Sequence, residues 1–218
     1  MLWGNAASAA SLDRAGVWQP TEFHAVTPPG GDREMINDGS FEFGPPPASA
    51  WTEVSDWPCE WIGDHSSAWY LSSWDGYLDY WAGGYCYDEG SGMNQPTTSS
   101  VTQSILIPAG QAILSFYYAS YRVDADDDPV DGDRAYVSIN GIEVWALPFI
   151  QANNSYPYWI GPVLVDVGAW QDQTVALQFG GISEGTATGN LRFDFIELLP
   201  GGSTPAENTS WGRVKTLF

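Results

Sequence analysis

The sequence predicts an all-β chain, a two-sheet antiparallel jelly-roll sandwich with extended tails at both ends. Three observations carry that prediction. After residue 36 the apolar residues alternate or fall in short unbroken runs, and no segment keeps amphipathic helical spacing beyond about ten residues. Glycine occurs 24 times and proline 15 times, which supplies the turns that many short strands need. Aromatic residues make up 15% of the chain, 12 of them tryptophan, and rings of this kind suit a pleated, half-buried surface.

Taken in order, the periodicity predicts strands at 40–43, 51–54, 68–73, 78–82 and 100–107. Residues 111–121, QAILSFYYASY, form a long apolar and aromatic run without helical spacing, so they read as a buried strand. In 135–147, AYVSINGIEVWAL, the pair Asn140-Gly141 sits between two strand-like runs; Asn and Gly tolerate the positive φ of a type I′ turn, which predicts a hairpin. Strands at 160–167, 173–180 and 190–199 complete the set, with Asp and Gly between them. About ten strands joined by turn-rich connections suggest a jelly-roll type of sandwich.

The chain divides into a tail over 1–35, a sandwich over 36–199 and a second tail over 200–218. Both tails are rich in small and turn-forming residues, yet they carry isolated large apolar groups. These are Trp3, Val17, Trp18, Phe23 and Val26 at one end, and Trp211, Val214, Leu217 and Phe218 at the other. Exposed termini fray unless they dock, so these side chains expect a partner surface, either on the chain's own sandwich or on another copy.

The formal net charge is -20, from 27 acids against seven bases. That balance argues against nucleic acid and anionic membrane surfaces, both of which require clustered cations. No stretch is apolar for long enough to be a membrane-spanning helix. Residues 1–16 lack the basic and apolar regions of a secretory signal, so an extracellular location expects either a signal outside this numbering or release by another route, as for a virion surface protein. Cys59 and Cys86 are the only cysteines. Paired, they close a loop worth roughly 3 to 4 kcal/mol in chain entropy; unpaired burial is the alternative.

Two segments resemble a known group. Asp38-Gly39-Ser40-Phe41-Glu42 and Phe193-Asp194-Phe195-Ile196-Glu197-Leu198 resemble the opening and closing strands of secreted bacterial jelly rolls, of the kind found in carbohydrate-binding modules and MAM-like accessory domains. Ala82-Gly83-Gly84, residues 100–110 and residues 133–141 are similar to the central segments of that group. The resemblance implies that the first and last strands lie side by side with a structural calcium where they meet. Glu42 and Asp194 would supply carboxylates and the backbone near Asp38 the remaining oxygens. Phe195 stands where the group often has a second acid, so one implied ligand is missing.

Residues 123–134 read VDADDDPVDGDR, six aspartates within ten positions. Such crowding is relieved either by full hydration or by a bound cation. Asp124, Asp126 and Asp128 have the early spacing of an EF-hand, but Pro129 follows and no glutamate closes the loop; with Asp133 they remain the candidate calcium ligands. Residues 69–87 contain eight aromatics among Asp and Ser, a composition able to stack against a pyranose face while accepting its hydroxyl protons. Trp74, Tyr77 and Trp81 are the candidate carbohydrate-binding residues, with core packing as the competing role.

Catalysis has little support: His24 and His65 are the only histidines, and no nucleophile elbow, zincin motif or phosphate-cradling loop is present. The expectation is a non-enzymatic extracellular or surface protein that assembles with other copies of itself through its tails. The alternative is a glycan-binding module whose partner is a polysaccharide.

Overall fold

Alternation in the sequence becomes alternation in space along Thr97–Ile107 (β8), where Val101, Ile105 and Ile107 point inward while Thr98, Ser104 and Leu106 face out. The computed structural model describes residues 35–56, 61–69, 71–82, 87–88, 93–94, 96–122, 134–148, 158–183 and 189–201, with 11–12 and 18–19. Ser11–Leu12 (β1) pairs antiparallel with Trp18–Gln19 (β2), and Tyr87–Asp88 (β6) with Met93–Asn94 (β7), each as a separate ribbon. The remaining strands are Thr52–Ser55 (β3), Ile62–Gly63 (β4), Asp79–Ala82 (β5), Gln111–Arg122 (β9), Arg134–Ile139 (β10), Ile142–Pro148 (β11), Trp159–Asp166 (β12), Gln173–Ser183 (β13) and Gly189–Pro200 (β14).

They form two five-stranded antiparallel sheets, a first ordered β11-β10-β13-β8-β3 and a second ordered β12-β9-β14-β5-β4. This is the jelly-roll sandwich that the sequence predicts. Along the centre of the first sheet β13 and β8 pair without a break, from Gln173 opposite Ile107 to Ser183 opposite Thr97. The β10–β11 hairpin turns at Asn140 and Gly141, both with positive φ (51° and 78°), as Asn-Gly requires.

Rings from both sheets interlock between them. Phe179 meets Phe193 at 5.0 Å and 72°, and Phe116 meets Phe179 at 5.4 Å and 86° and Trp145 at 5.2 Å and 80°. Edge-to-face contact is the favoured geometry for aromatic quadrupoles, and truncating one of these buried rings to alanine costs about 3 to 5 kcal/mol. Polar groups in this layer are paired: the Tyr80 and Ser99 hydroxyls lie 2.8 Å apart, and the Gln103 amide holds the backbone of Asn37 at both its N–H and its carbonyl.

Two expected strands are absent, for different reasons. Residues 40–43 form turns, because Asp38 and Phe41 adopt positive φ (58° and 60°) and break the extended chain. Just before this segment the Ile196 N–H of β14 donates to the Gly39 carbonyl, and the backbones approach so closely there that a β-carbon on Gly39 would lie 2.0 Å from the Ile196 oxygen. Of residues 68–73, the first two belong to a single helical turn, Ser66–Trp69, and 71–73 are irregular chain. Their carbonyls find side-chain donors rather than a ladder, as described below.

Candidate functional site

The irregular chain of residues 71–78 lies on the outer face of the second sheet and is fastened there by successive side-chain contacts. Arg192 of β14 is wholly buried; its Nε donates to Asp79 Oδ1 at 2.8 Å, its Nη2 to Asp79 Oδ2, and its Nη1 to the Leu71 carbonyl at 2.8 Å. Trp159 Nε1 donates to the Ser72 carbonyl, and Ser73 Oγ to Asp79 Oδ2, each at 2.8 Å. Trp74 stacks on Tyr117, with centroids 4.0 Å apart and 14° between planes. Asp75 N–H donates to Asp194 Oδ2 at 2.9 Å, and the Asp75 carboxylate accepts from Ser40 Oγ.

This fastening decides the roles of the aromatic candidates. Trp74 stacks on Tyr117, and Trp81 packs 6.2 Å from Trp61 and 5.2 Å from His65, so each of these half-buried rings already has an aromatic neighbour. Tyr77 differs: it is 80% exposed. Nearby, His65 Nδ1 lies 2.8 Å from Asp79 Oδ1, with its ring between Trp61 and Trp81. Burial by itself would raise the Asp79 carboxyl, but the bonds from Arg192 and His65 outweigh it and hold that group below its ordinary value.

The implied calcium pair is brought into one neighbourhood without forming a ligand shell. Asp194 is wholly buried, and its two oxygens accept the N–H groups of Asp75 and Phe195, at 2.9 and 2.7 Å. Glu42 Oε1 accepts from Tyr77 N–H at 2.8 Å and Leu78 N–H at 2.7 Å, while Asp38 Oδ1 accepts from Phe43 N–H. Backbone donors thus engage both oxygens of Asp194, Oε1 of Glu42 and Oδ1 of Asp38. Among the described residues no group of three or more His, Cys, Asp or Glu side chains is placed to hold a metal ion. Burial pushes the Asp194 carboxyl well above the usual range, only partly offset by its bond from Asp75.

Asp124, Asp126, Asp128 and Asp133 lie outside the described residues, as do Cys59, Cys86, Trp3, Val17, Phe23, Trp211 and Phe218. Trp18 is placed in β2, but its side chain is also outside that description.

The outer face of the first sheet carries residues that sequence reasoning missed. A hydrogen-bonded row crosses three strands: Ser138 Oγ of β10 donates to Gln178 Oε1 of β13 at 3.1 Å, and Gln178 Nε2 donates to Ser100 Oγ of β8 at 3.0 Å. Beside it the half-buried Tyr136 ring leans over Gly180, where a β-carbon would meet the Tyr136 Cζ and Oη at 2.6 Å. Arg134 lies 6.0 Å from the Tyr136 centroid and donates from Nε to Glu143 Oε2 at 3.0 Å. Burial raises the Tyr136 phenol, keeping it a neutral donor and acceptor. The outward positions of β8 and β13 are Thr98, Ser100, Thr102, Ser104, Leu106, Thr174, Ala176, Gln178, Gly180 and Ile182. None of them is ionisable, in a chain of net charge -20.

No family model and no curated protein matches the chain. Among solved structures, the chain is similar to the carbohydrate-binding module TmCBM61 solved with β-1,4-galactotriose, at 13% identity, covering 78% of this chain and 100% of that one with a TM-score of 0.48. It is also similar to the K1 adhesin domain of Lys-gingipain from Porphyromonas gingivalis W83, at 11% identity, 75% and 96% coverage and a TM-score of 0.49. A third is CBM28, a module specific for non-crystalline cellulose, at 14% identity, 66% and 86% coverage and a TM-score of 0.36. All three are jelly-roll β-sandwiches.

Proposed function

We propose that this chain is a non-catalytic carbohydrate-binding module, working outside the cell or on its surface, and that the outer face of the first sheet holds the sugar. The observation that supports this most directly is the row Ser138, Gln178 and Ser100 beside Tyr136. A pyranose offers an apolar face and a rim of hydroxyls that both donate and accept. The half-buried ring of Tyr136 matches the first, and the part-exposed Gln178 amide, positioned by the buried Ser138 and Ser100 hydroxyls, matches the second, since an amide also donates and accepts. No charge on β8 or β13 has to be desolvated when a sugar settles there.

The self-assembly reading rests on the tails, and no observation among the described residues favours it over polysaccharide binding. Calcium is a proposal, for the 124–133 run in preference to Glu42 and Asp194, because a structural ion would relieve the mutual repulsion of six aspartates there.

Isothermal titration against a panel of soluble polysaccharides tests the reading. The intact chain is expected to bind at least one of them, and Tyr136→Ala and Gln178→Ala are each expected to weaken that binding about tenfold, equivalent to about 1.4 kcal/mol, with circular dichroism unchanged. Absence of heat with every polysaccharide, or affinity unchanged in both variants, overturns it.

A further inference from the structure

The most exposed large apolar side chain in the described residues is Tyr77, at 80%, and it stands on one of the most firmly held turns. Glu42 Oε1 accepts the N–H groups of both Tyr77 and Leu78, and Gly76, with φ +71°, lies so close that a β-carbon would sit 2.2 Å from the Glu42 carboxyl carbon. Asp75 is fixed to Asp194 and Ser40, and Trp74 to Tyr117. The ring itself adds little to the fold. One residue after Glu42, Phe43 is 54% exposed, its N–H held by Asp38. Two exposed rings are therefore presented on rigid backbone joined through one carboxylate. Such preorganisation lowers the ordering cost of binding.

The charge around these rings indicates the partner. Glu42 and Asp75 belong to the turn's own hydrogen-bond set, residues 35–82 hold no lysine or arginine, and the buried Arg192 behind the turn is matched by Asp79. This differs from the uncharged row on the first sheet. An electron-rich ring beside carboxylates attracts a guanidinium or ammonium group, through its quadrupole and through the field of the acids. We propose that the Asp75–Leu78 turn, with Tyr77 as its anchor and Glu42 beneath it, is a recognition site for an arginine- or lysine-bearing segment of another polypeptide, separate from the sugar-binding face.

The probe is a capped Gly-Arg repeat peptide, titrated into the full chain at 150 mM salt alongside its Gly-Gln counterpart. The arginine peptide is expected to bind and the glutamine peptide not to. Tyr77→Leu is expected to weaken binding about fivefold, Tyr77→Phe to retain it, and Tyr158→Leu, at another exposed ring (52% exposed), to leave it unchanged. Equal affinity in wild type and Tyr77→Leu would show that the peptide senses net charge alone, and overturns the proposal. So does a Tyr77→Leu variant that binds the peptide normally but loses polysaccharide, since the turn would then be a sugar contact.

Discussion

Replacing Arg192 with methionine removes the guanidinium bonded to both oxygens of Asp79 while roughly keeping the volume of the stem. Both Arg192 and Asp79 are wholly buried. A buried carboxylate deprived of its partner costs about 3 to 5 kcal/mol. The Leu71 carbonyl also loses its Nη1 donor, within the same range. That is a large share of the 5 to 15 kcal/mol expected for a whole domain. Replacing both members, Arg192→Met with Asp79→Leu, leaves no stranded charge. What remains is the loss of partners for His65 Nδ1, Ser73 Oγ and the Leu71 carbonyl, at about 1 kcal/mol each. The double variant should therefore be more stable than the single one, by up to about 2 kcal/mol. Urea unfolding at pH 7, followed by both tryptophan fluorescence and circular dichroism, measures each value provided the two probes coincide. A single variant that loses under 1 kcal/mol, or a double variant no better than the single, refutes the argument that charge compensation fastens residues 71–73.

Burial raises the carboxyls of Asp194, Glu197 and Glu53 above the values of 3.8 and 4.5 that they have when unfolded. A raised group contributes stability that is full below its unfolded value and lost as pH rises through its folded value, so the melting temperature should climb as pH falls toward 4.5, and less steeply in Asp194→Asn. Asp79 is lowered and has the opposite sign, its contribution persisting above 3.8 and disappearing only as pH falls through its still lower folded value, so stability should turn over in strong acid. Gly180→Ala would place a β-carbon 2.6 Å from the Tyr136 hydroxyl end and 2.7 Å from the Ser99 carbonyl; a loss of about 1 to 3 kcal/mol in urea unfolding is expected, with polysaccharide affinity reduced as Tyr136 is displaced. Calcium added to chelator-treated protein should raise the melting temperature through the Asp124–Asp133 run, with the shift intact in Glu42→Gln and Asp194→Asn; a shift lost in either variant would show that these carboxylates, and not the run, take the ion.

Where the backbone satisfies itself through ladders, the sequence was legible. The apolar run of β9, the Asn140-Gly141 hairpin and the alternation in β8 and β13 each specify their own strand, because side-chain period and hydrogen-bond pattern coincide there. It was not legible where side chains satisfy the backbone. Residues 68–73 look like a strand until Arg192 and Trp159, distant in the chain, supply the donors for Leu71 and Ser72. Residues 40–43 alternate correctly, but the positive φ values of Asp38 and Phe41 carry no compositional signal in residues other than glycine. The aromatic candidates were recognisable as rings and not as exposed or stacked ones, which depends on Tyr117 lying under Trp74 and nothing covering Tyr77. The row on the first sheet escaped notice because Ser and Gln are ordinary on any sheet; the signal available was the absence of charge at every outward position of β8 and β13.

The fastening of residues 71–78 also bears on the order of events when the chain folds. Its partners are remote: Ser40 and Glu42 stand 35 or 36 positions before it, Trp159 87 positions after, and Arg192 and Asp194 119 to 121 positions after. Each of those contacts closes a long loop, and loop closure must precede any reward from it. This segment therefore settles only once the last strand has entered the sheet. A ribosome must release almost the whole sandwich before Leu71 and Asp75 can be held in place, which makes these two residues late reporters of complete folding.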